Sequence, residues 1–373
     1  MNDKPMELEY DPVENNDDLV ENDEDLIETS DGETIEEDGQ LFEHMRITVD
    51  GGQDTVRIDT FLSSRIHSIS RNRIQNAAKA GNILVNDTPV KPNYKVKPND
   101  VISIVFSYPP RETDIKPEPI PLNIVYEDDD IIVINKQAGL VVHPAHGNFT
   151  GTLLHGLAYH FEQTHQNIEN RVGYLVHRID KDTTGLMIVT KNETAQTILA
   201  KQFFEHSIHR RYNALVWGDF DEDEGTIIGN IGRSMSNRRR MTVYPFGEQG
   251  KEAITHWKVL ERFGYVTLNE YRLETGRTHQ IRAHSQFIGH PLFNGALYGG
   301  DVILKGTSFS KYKQFIDNCF KIMPRHALHA KKLGFVHPTT GKPMMFTSEL
   351  PDDMELVLDK WRTYLKARNL LEE

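Results

Sequence analysis

Of the first 45 residues, 18 are Asp or Glu and one, Lys4, is basic, a net charge of -17 in a chain whose total is -13. A stretch this self-repelling, with almost no aromatics and no periodic apolar face, cannot bury enough surface to offset the entropy of ordering it. Residues 1–44 are therefore read as a disordered acidic tail, either a solubilising strip or one that competes with nucleic acid for the rest of the protein. What folds is the remainder, which holds 41 basic and 37 acidic residues and carries +4. The total acidity thus belongs to the tail and does not argue against a nucleic-acid partner.

The longest uncharged apolar runs, such as Ile131–Ile134, are a few residues long, against the roughly 20 a membrane-spanning helix requires. The N-terminus has no basic region followed by an apolar stretch, so no secretory signal is visible and a cytoplasmic location is expected. Cys319 is the only cysteine, which forbids an intramolecular disulfide or a multi-cysteine zinc site and fits a reducing compartment. It reads as a small buried hydrophobe. A monomer without membrane contact is expected.

Residues 45–107 change character, with nine Lys and Arg against five Asp. Arg57 to Leu62 reads as a helix start. Ser70 is read as the cap of a second helix through Arg71, Arg73, Ile74 and Ala77, stopped at Gly81. A strand and turn from Ile83 and a strand over Val101–Phe106 follow. With Ser70-Arg71, Gly81 and Val85-Asn86 in place, the segment resembles the S-four type RNA-binding module of ribosomal and RNA-modifying proteins. Arg57, Arg71 and Arg73 are its candidate RNA contacts. Five prolines between Tyr108 and Pro121 read as an extended spacer over 108–121. Residues 122–373 mix strands (Tyr265–Leu273) and an Asn192-capped helix through Phe203 and Phe204 without regular alternation. That pattern predicts an α+β domain with a largely antiparallel, mixed sheet.

The densest polar cluster is His177-Arg-Ile-Asp-Lys-Asp-Thr-Thr-Gly185, set between the apolar residues Tyr174–Val176 and Leu186–Val189. A strand leading into Asp180 and a Thr-Thr-Gly turn would present that carboxylate at a sheet edge, although a charged turn between strands reads the same way. Two chemistries compete. Asp180-Lys-Asp182-Thr183 matches the short Asp-x-Asp-x-Thr string of aspartyl-phosphate phosphatases, whose carboxylates hold magnesium. His177 and Arg178 stand immediately before it, where those enzymes have a hydrophobic strand.

Read whole, the segment resembles the nucleophile motif of the RluA family of pseudouridine synthases. Four further blocks resemble that family in the same order. They are Val133–Pro144, Arg211–Gly218, Leu273–His284 with Gly289–Pro291 and Tyr298-Gly299, and Arg325–Ala330 with Phe335–Pro338. Together with the preceding RNA-binding module, the match is closest to RluD-type synthases of large-subunit ribosomal RNA. Gln137, Gly295 and His326 depart from the family's usual Pro, Asp and Gln.

The resemblance implies isomerisation of uridine to pseudouridine in RNA. The bond from C1′ to N1 breaks, the base turns, and C1′ is rejoined to C5. No oxidation occurs and no group is lost, so neither a cofactor nor a metal is expected. It further implies Asp180 as nucleophile, Arg282 as its ion-pair partner and Tyr212 over the base, with a hydroxyl able to help remove the C5 proton. Arg178 would fill the place of the flipped base. His177, Thr183, Gly185, Ile281 and Leu328 would complete the uridine pocket. Arg238, Arg239 and Arg240 form a basic patch suited to RNA phosphates. A synthase acting on transfer RNA and a non-catalytic RNA-binding assembly factor remain as alternatives. The pairs His326/His329 and His143/His146 lack a third metal ligand at recognisable spacing. Asp219–Gly225 imitates a calcium loop but has its glycine one place late.

Overall fold

The computed structural model describes residues 42–66, 71–106, 115–144, 147–164, 172–237, 239–247 and 249–372. The chain forms two compact units that part between Asp114 and Ile115.

In the first unit, β1 (Phe42–Thr48), α1 (Ile58–Arg65), α2 (Arg71–Lys79), β2 (Ile83–Val85), β3 (Thr88–Pro89) and β4 (Val101–Phe106) follow in sequence. The strands make an antiparallel sheet in the order β1-β4-β2-β3. Ile58, Phe61 and Leu62 of α1 and Ile74 and Ala78 of α2 bury one helix face each against Ile83, Val85 and Ile102. Gly81 takes φ +81° just past α2, the left-handed geometry that ends a helix. The boundary of the acidic tail moves: Phe42 and Glu43 already pair with Phe106 and Val105, so the sheet claims residues that composition assigned to the tail. Ser70 and residues 1–41 lie outside the described residues.

The second unit contains β5 (Ile124–Glu127), β6 (Ile131–Lys136), α3 (Leu153–Gln163), β7 (Tyr174–Leu175), β8 (Thr184–Thr190), α4 (Glu193–Phe204) and β9 (His209–Trp217). It continues with β10 (Glu224–Ile228), β11 (Asn230–Arg233), β12 (Met241–Tyr244), β13 (Ile254–Arg262), β14 (Val266–Leu273) and α5 (Gln280–Phe287). A short 3-10 turn (Ala296–Tyr298), α6 (Ser310–Ile322), β15 (Leu328–Val336), β16 (Pro343–Thr347) and α7 (Asp352–Glu372) complete it.

One ten-stranded sheet runs β10-β13-β14-β9-β15-β8-β6-β5, with β16 on β15 and β7 on β8. Every pairing is antiparallel except β8 with β15. This is the expected α+β architecture with a largely antiparallel sheet.

Strand alternation divides the core between the two faces of the sheet. Met187 and Val189 of β8, Tyr212, Ala214 and Val216 of β9 and Tyr271 of β14 look to one face, beneath α3 and α5. Leu186 and Ile188 look to the other, under α4. Leu215 and Trp217 share that other side with α6 and α7. Cys319 is fully buried there, and burial pushes its thiol up to about 12, in keeping with a structural role.

Residues 115–121, read as spacer, differ from that expectation. Ile115 and Ile120 pack on the second unit's core, and Glu118 accepts the Gly151 amide at 3.1 Å. Their apolar side chains find a surface that proline content alone does not reveal.

Candidate active site

Asp180 does not end a strand, as its setting suggested. It opens a tight turn that precedes β8, and the Thr-Thr-Gly sequence starts the strand instead of turning. The Thr183 amide donates to the Asp180 carbonyl at 3.1 Å. The next carbonyls are each claimed in turn. Buried Lys136 donates to Lys181 O at 2.9 Å, and Arg325 to Asp182 O at 3.2 Å. Thr183 Oγ1 is 2.9 Å from His326 Nε2. Lys136 also holds the carbonyls of Gln137 and Leu140, both at 2.9 Å, while Arg325 is clamped from behind by both carboxylate oxygens of Asp353. Gly185 is required where it stands: at φ +109° its missing Cβ would lie 2.3 Å from the Ala330 carbonyl oxygen, where β8 meets β15.

The Asp180 carboxylate faces α5. Arg282 Nη1 donates to its Oδ2 at 2.8 Å, and His279 Nε2 lies 3.9 Å from the same oxygen. Removal from water would by itself raise the acid's pKa. Attraction from His279 and Arg282 and the Arg282 hydrogen bond outweigh it and hold the carboxyl well below the usual range. Burial lowers His326 to about 3, so at neutral pH its ring is uncharged and Arg282 supplies the pairing charge. The helix is aimed by its entry: Gln280 accepts from Thr275 Oγ1 and the Arg277 amide and donates to Ile254 O and Thr255 Oγ1. His279, with φ +53°, turns the chain into α5.

Tyr212 on β9, Ile179, Ile281 of α5 and Leu328 at the start of β15 share one apolar cluster beside this pair. Burial, and secondarily the negative charge of Asp180, raises the Tyr212 phenol above its ordinary value against the opposing effect of Arg210, so it is un-ionised at neutral pH. As a phenol it can stack on a base or donate a hydrogen bond, but it is not a ready base. Arg178 is exposed two residues before the carboxylate.

His177, read as part of the uridine pocket, is committed elsewhere. Its Nε2 accepts the Ile188 amide at 3.0 Å, its ring stacks on Phe203 at 4.7 Å, and burial lowers it to about 3. It anchors the segment to the strand.

Of the basic patch, Arg239 is exposed and Arg240 is half-buried with its guanidinium 5.3 Å from the Tyr298 ring centroid. Arg238 lies outside the described residues, and so does His146. In the first unit, Arg57 and Arg71 both bond the fully buried Asp59 carboxylate.

Four residues at the site had no role assigned from sequence: Lys136, His279, Tyr298 and Arg325. All four fall inside blocks already singled out. A lysine in the apolar strand Ile131–Lys136 was the available signal, whereas the reach of Arg325 to the turn depends on the fold.

Among the described residues, one trio has metal-ligand geometry: Asp128, Asp130 and His337. It is internally satisfied. Asp128 accepts the amides of Asp130 and Ile131, the Tyr126 hydroxyl and His337 Nε2. His337 Nδ1 accepts the Thr339 and Thr340 amides, so Nε2 carries the proton a metal would have to displace. The Asp180/Asp182 pair suits a divalent cation no better, because Arg282 already occupies the carboxylate. The calcium-like loop is filled by Arg262, bonded to Asp219, Asp223 and the carbonyls of Phe220 and Glu222.

Residues 130–287 match the RNA pseudouridylate synthase family model, and residues 56–102 match the S4 domain. An uncharacterized RNA pseudouridine synthase of Chlorobaculum parvum is 46% identical over 87% of this chain and 99% of that protein. The chain belongs to the RNA pseudouridine synthase family. It is accordingly an enzyme that isomerises uridine to pseudouridine, with an S4 module ahead of its catalytic domain. The ribosomal large subunit pseudouridine synthase D of Zymomonas mobilis is 40% identical over 81% of this chain and 92% of that protein. Among solved structures, human RNA pseudouridylate synthase domain containing 1 aligns with a TM-score of 0.48 at 26% identity, over 67% of this chain and 96% of that one.

Proposed function

We propose that this synthase modifies uridines of large-subunit ribosomal RNA in the cytoplasm, as a monomer, with Asp180 as the nucleophile. The observation that carries the catalytic assignment is the Asp180–Arg282 pair, an ionised carboxylate held by a nearly buried guanidinium at the edge of an apolar cluster. The target reading draws on the large-subunit synthase names of its relatives.

A stacked uridine cannot reach Asp180, so it must flip out at a cost of a few kcal/mol. Exposed Arg178 is suited to fill the vacated place. Ile281, Leu328 and the Tyr212 ring then wall the pocket, and Thr183 and Gly185 fix the turn beneath it. Asp180 attacks the ribose or the base, the glycosidic bond breaks, C5 bonds to C1′ and the C5 proton leaves while N1 gains one. Asp180 is released as the free carboxylate, every heavy atom of the nucleotide is retained, and the proton lost from C5 is matched by the one gained at N1. The neutral Tyr212 favours stacking over proton abstraction.

The division of labour follows the two units: Phe42–Phe106 as an RNA-binding module with Arg57, Arg71 and Arg73 as its candidate phosphate contacts, a short Pro-rich connection, and a catalytic domain from Ile115. Arg240, close to the Tyr298 ring, and the neighbouring Arg239 add an RNA contact beside the active site, with Arg238 a further basic residue by sequence, and the acidic tail competes with RNA at low salt.

The test is tritium release from RNA labelled at uridine C5, with wild type and Asp180→Asn side by side in EDTA. Release by wild type alone is expected. Turnover above a few per cent in Asp180→Asn would remove the nucleophile assignment. Release from transfer RNA but not from large-subunit RNA would move the target.

A further inference from the structure

β11 and β12 form a ribbon separate from the large sheet, and its tip carries the exposed residues Met235 and Arg239. The ribbon is seated on the catalytic helix. Ile231, Met241 and Val243 pack with Ala283 of α5 and with Tyr298, and His284 of α5 is 3.3 Å from the Gly229 carbonyl at the ribbon's base.

Tyr298 is the point where this seat meets the catalytic pair. Its oxygen accepts the Met241 amide at 3.0 Å and lies 3.0 Å from His279 Nδ1. Burial raises the phenol to about 12, so the O–H is intact. The hydroxyl thus joins the ribbon's Met241 amide to His279 Nδ1, and the other nitrogen of that ring, Nε2, lies 3.9 Å from Asp180 Oδ2.

The ring does a second job. The guanidinium carbons of Arg282 and Arg240 lie 5.0 and 5.3 Å from its centroid. Among the described residues, Arg282 Nε has no hydrogen-bond partner. The orientation of the Arg282 fork therefore rests on Asp180 at one end and the Tyr298 ring beside it.

We propose that Tyr298 is a positioning residue that couples the seating of the basic ribbon on RNA to the orientation of Asp180, through His279 and Arg282. This rests on the pseudouridine synthase reading of the site. When RNA phosphates hold the ribbon down, the Met241 amide and Arg240 fix Tyr298, and Tyr298 fixes both groups that face the nucleophile. When the ribbon lifts, the same contacts loosen and the carboxylate loses its alignment. RNA thus completes the site it is modified in.

Single-turnover tritium release, RNA affinity and thermal unfolding of the full-length protein test the coupling. Tyr298→Phe keeps the ring and removes the hydroxyl, and is expected to slow the chemical step about tenfold, with affinity changed less than about twofold. Arg240→Met is expected to slow it about fivefold. If Tyr298 transmits the ribbon's position, the double variant is no slower than about tenfold. Multiplication of the two losses, to about fiftyfold, overturns the coupling. His279→Gln provides a second route should Tyr298→Phe unfold. Its loss must likewise fail to multiply with that of Arg240→Met, and independent losses overturn the proposal. Absence of release by wild type would instead refute the synthase reading itself, a separable result.

Discussion

Arg282 Nη1 donates to Asp180 Oδ2 at 2.8 Å, joining residues 102 positions apart in sequence. The guanidinium is nearly buried and lies over the Tyr298 ring, its carbon 5.0 Å from the centroid. Arg282→Lys keeps the charge but replaces a planar fork by a point charge on a flexible stem. Loss of alignment by about an ångström lowers the rate about 100-fold. The expected outcome is that drop in single-turnover rate with RNA affinity nearly unchanged. A Lys variant of full activity would mean that charge alone suffices.

Gly185 is the pivot on which the nucleophile turn rests. A Cβ there meets the Ala330 backbone at 2.3 Å in a conformation, φ +109°, that L side chains rarely adopt. Backbone strain and overpacking each amount to about 1–3 kcal/mol. Gly185→Ala is therefore expected to destabilise the protein by roughly 2–5 kcal/mol and to abolish turnover by displacing the Asp180 turn. Denaturant titration with a paired activity assay checks both. Full stability would show that β8 and β15 can separate without cost.

The reach of sequence reasoning follows the distance over which each contact acts. The Asn192 cap is a signal read within a few residues, and it stands where expected. The placement of Asp180, Tyr212, Arg282, Ile281 and Leu328 together depends on β8, β9, β15 and α5 meeting on one face of the sheet. Here family motifs supplied what periodicity could not. His177 shows the limit, since its motif position says nothing about the Ile188 amide that uses its ring nitrogen. The Asp180 turn was likewise misread because its geometry is set by Lys136, Arg325 and Ala330, all remote in sequence.

Lys136 gives the turn a signature on the alkaline side. Burial, only partly offset by Asp182 and Asp180, lowers its ammonium to about 8 from an ordinary 10.5. Between those values the unfolded chain binds a proton that the folded one has lost, so this group's contribution to stability rises with pH, by up to about 3 kcal/mol. Function runs the other way, because a neutral amine offers two N–H groups to three carbonyls. Relative to Lys136→Met, wild type should gain unfolding free energy from pH 8 to 10 and lose activity. Parallel stability curves for the two proteins would rule this out.

The acid side is governed by buried neutral histidines. Burial lowers His177 and His326 to about 3 and His284 and His329 to about 4. Their folded values lie below the unfolded 6.5, so the stability they contribute is complete above pH 6.5 and is lost as pH falls toward 4. Urea unfolding at pH 7, 6, 5 and 4 is expected to show a steady decline, shallower in His177→Gln. A flat profile over that range would mean that these rings are already charged in the fold.

In the S4 module, Asp59 is wholly buried and takes both Arg57 and Arg71, whose side chains remain 46% and 52% exposed. The hydrogen bonds from Arg57, Gln75 and Arg71 outweigh the effect of burial and hold that carboxyl well below its ordinary range. Each arginine is thus fixed from beneath and still able to meet a phosphate above, which reduces the entropy lost on binding. Replacing either by Gln is expected to weaken binding alike for all RNA sequences. It should also reduce the slope of log affinity against log salt by about one. Anisotropy titrations from low to physiological salt measure both. An unchanged slope in both variants would mean that this pair of arginines serves Asp59 and the fold of the module, and that RNA is held elsewhere.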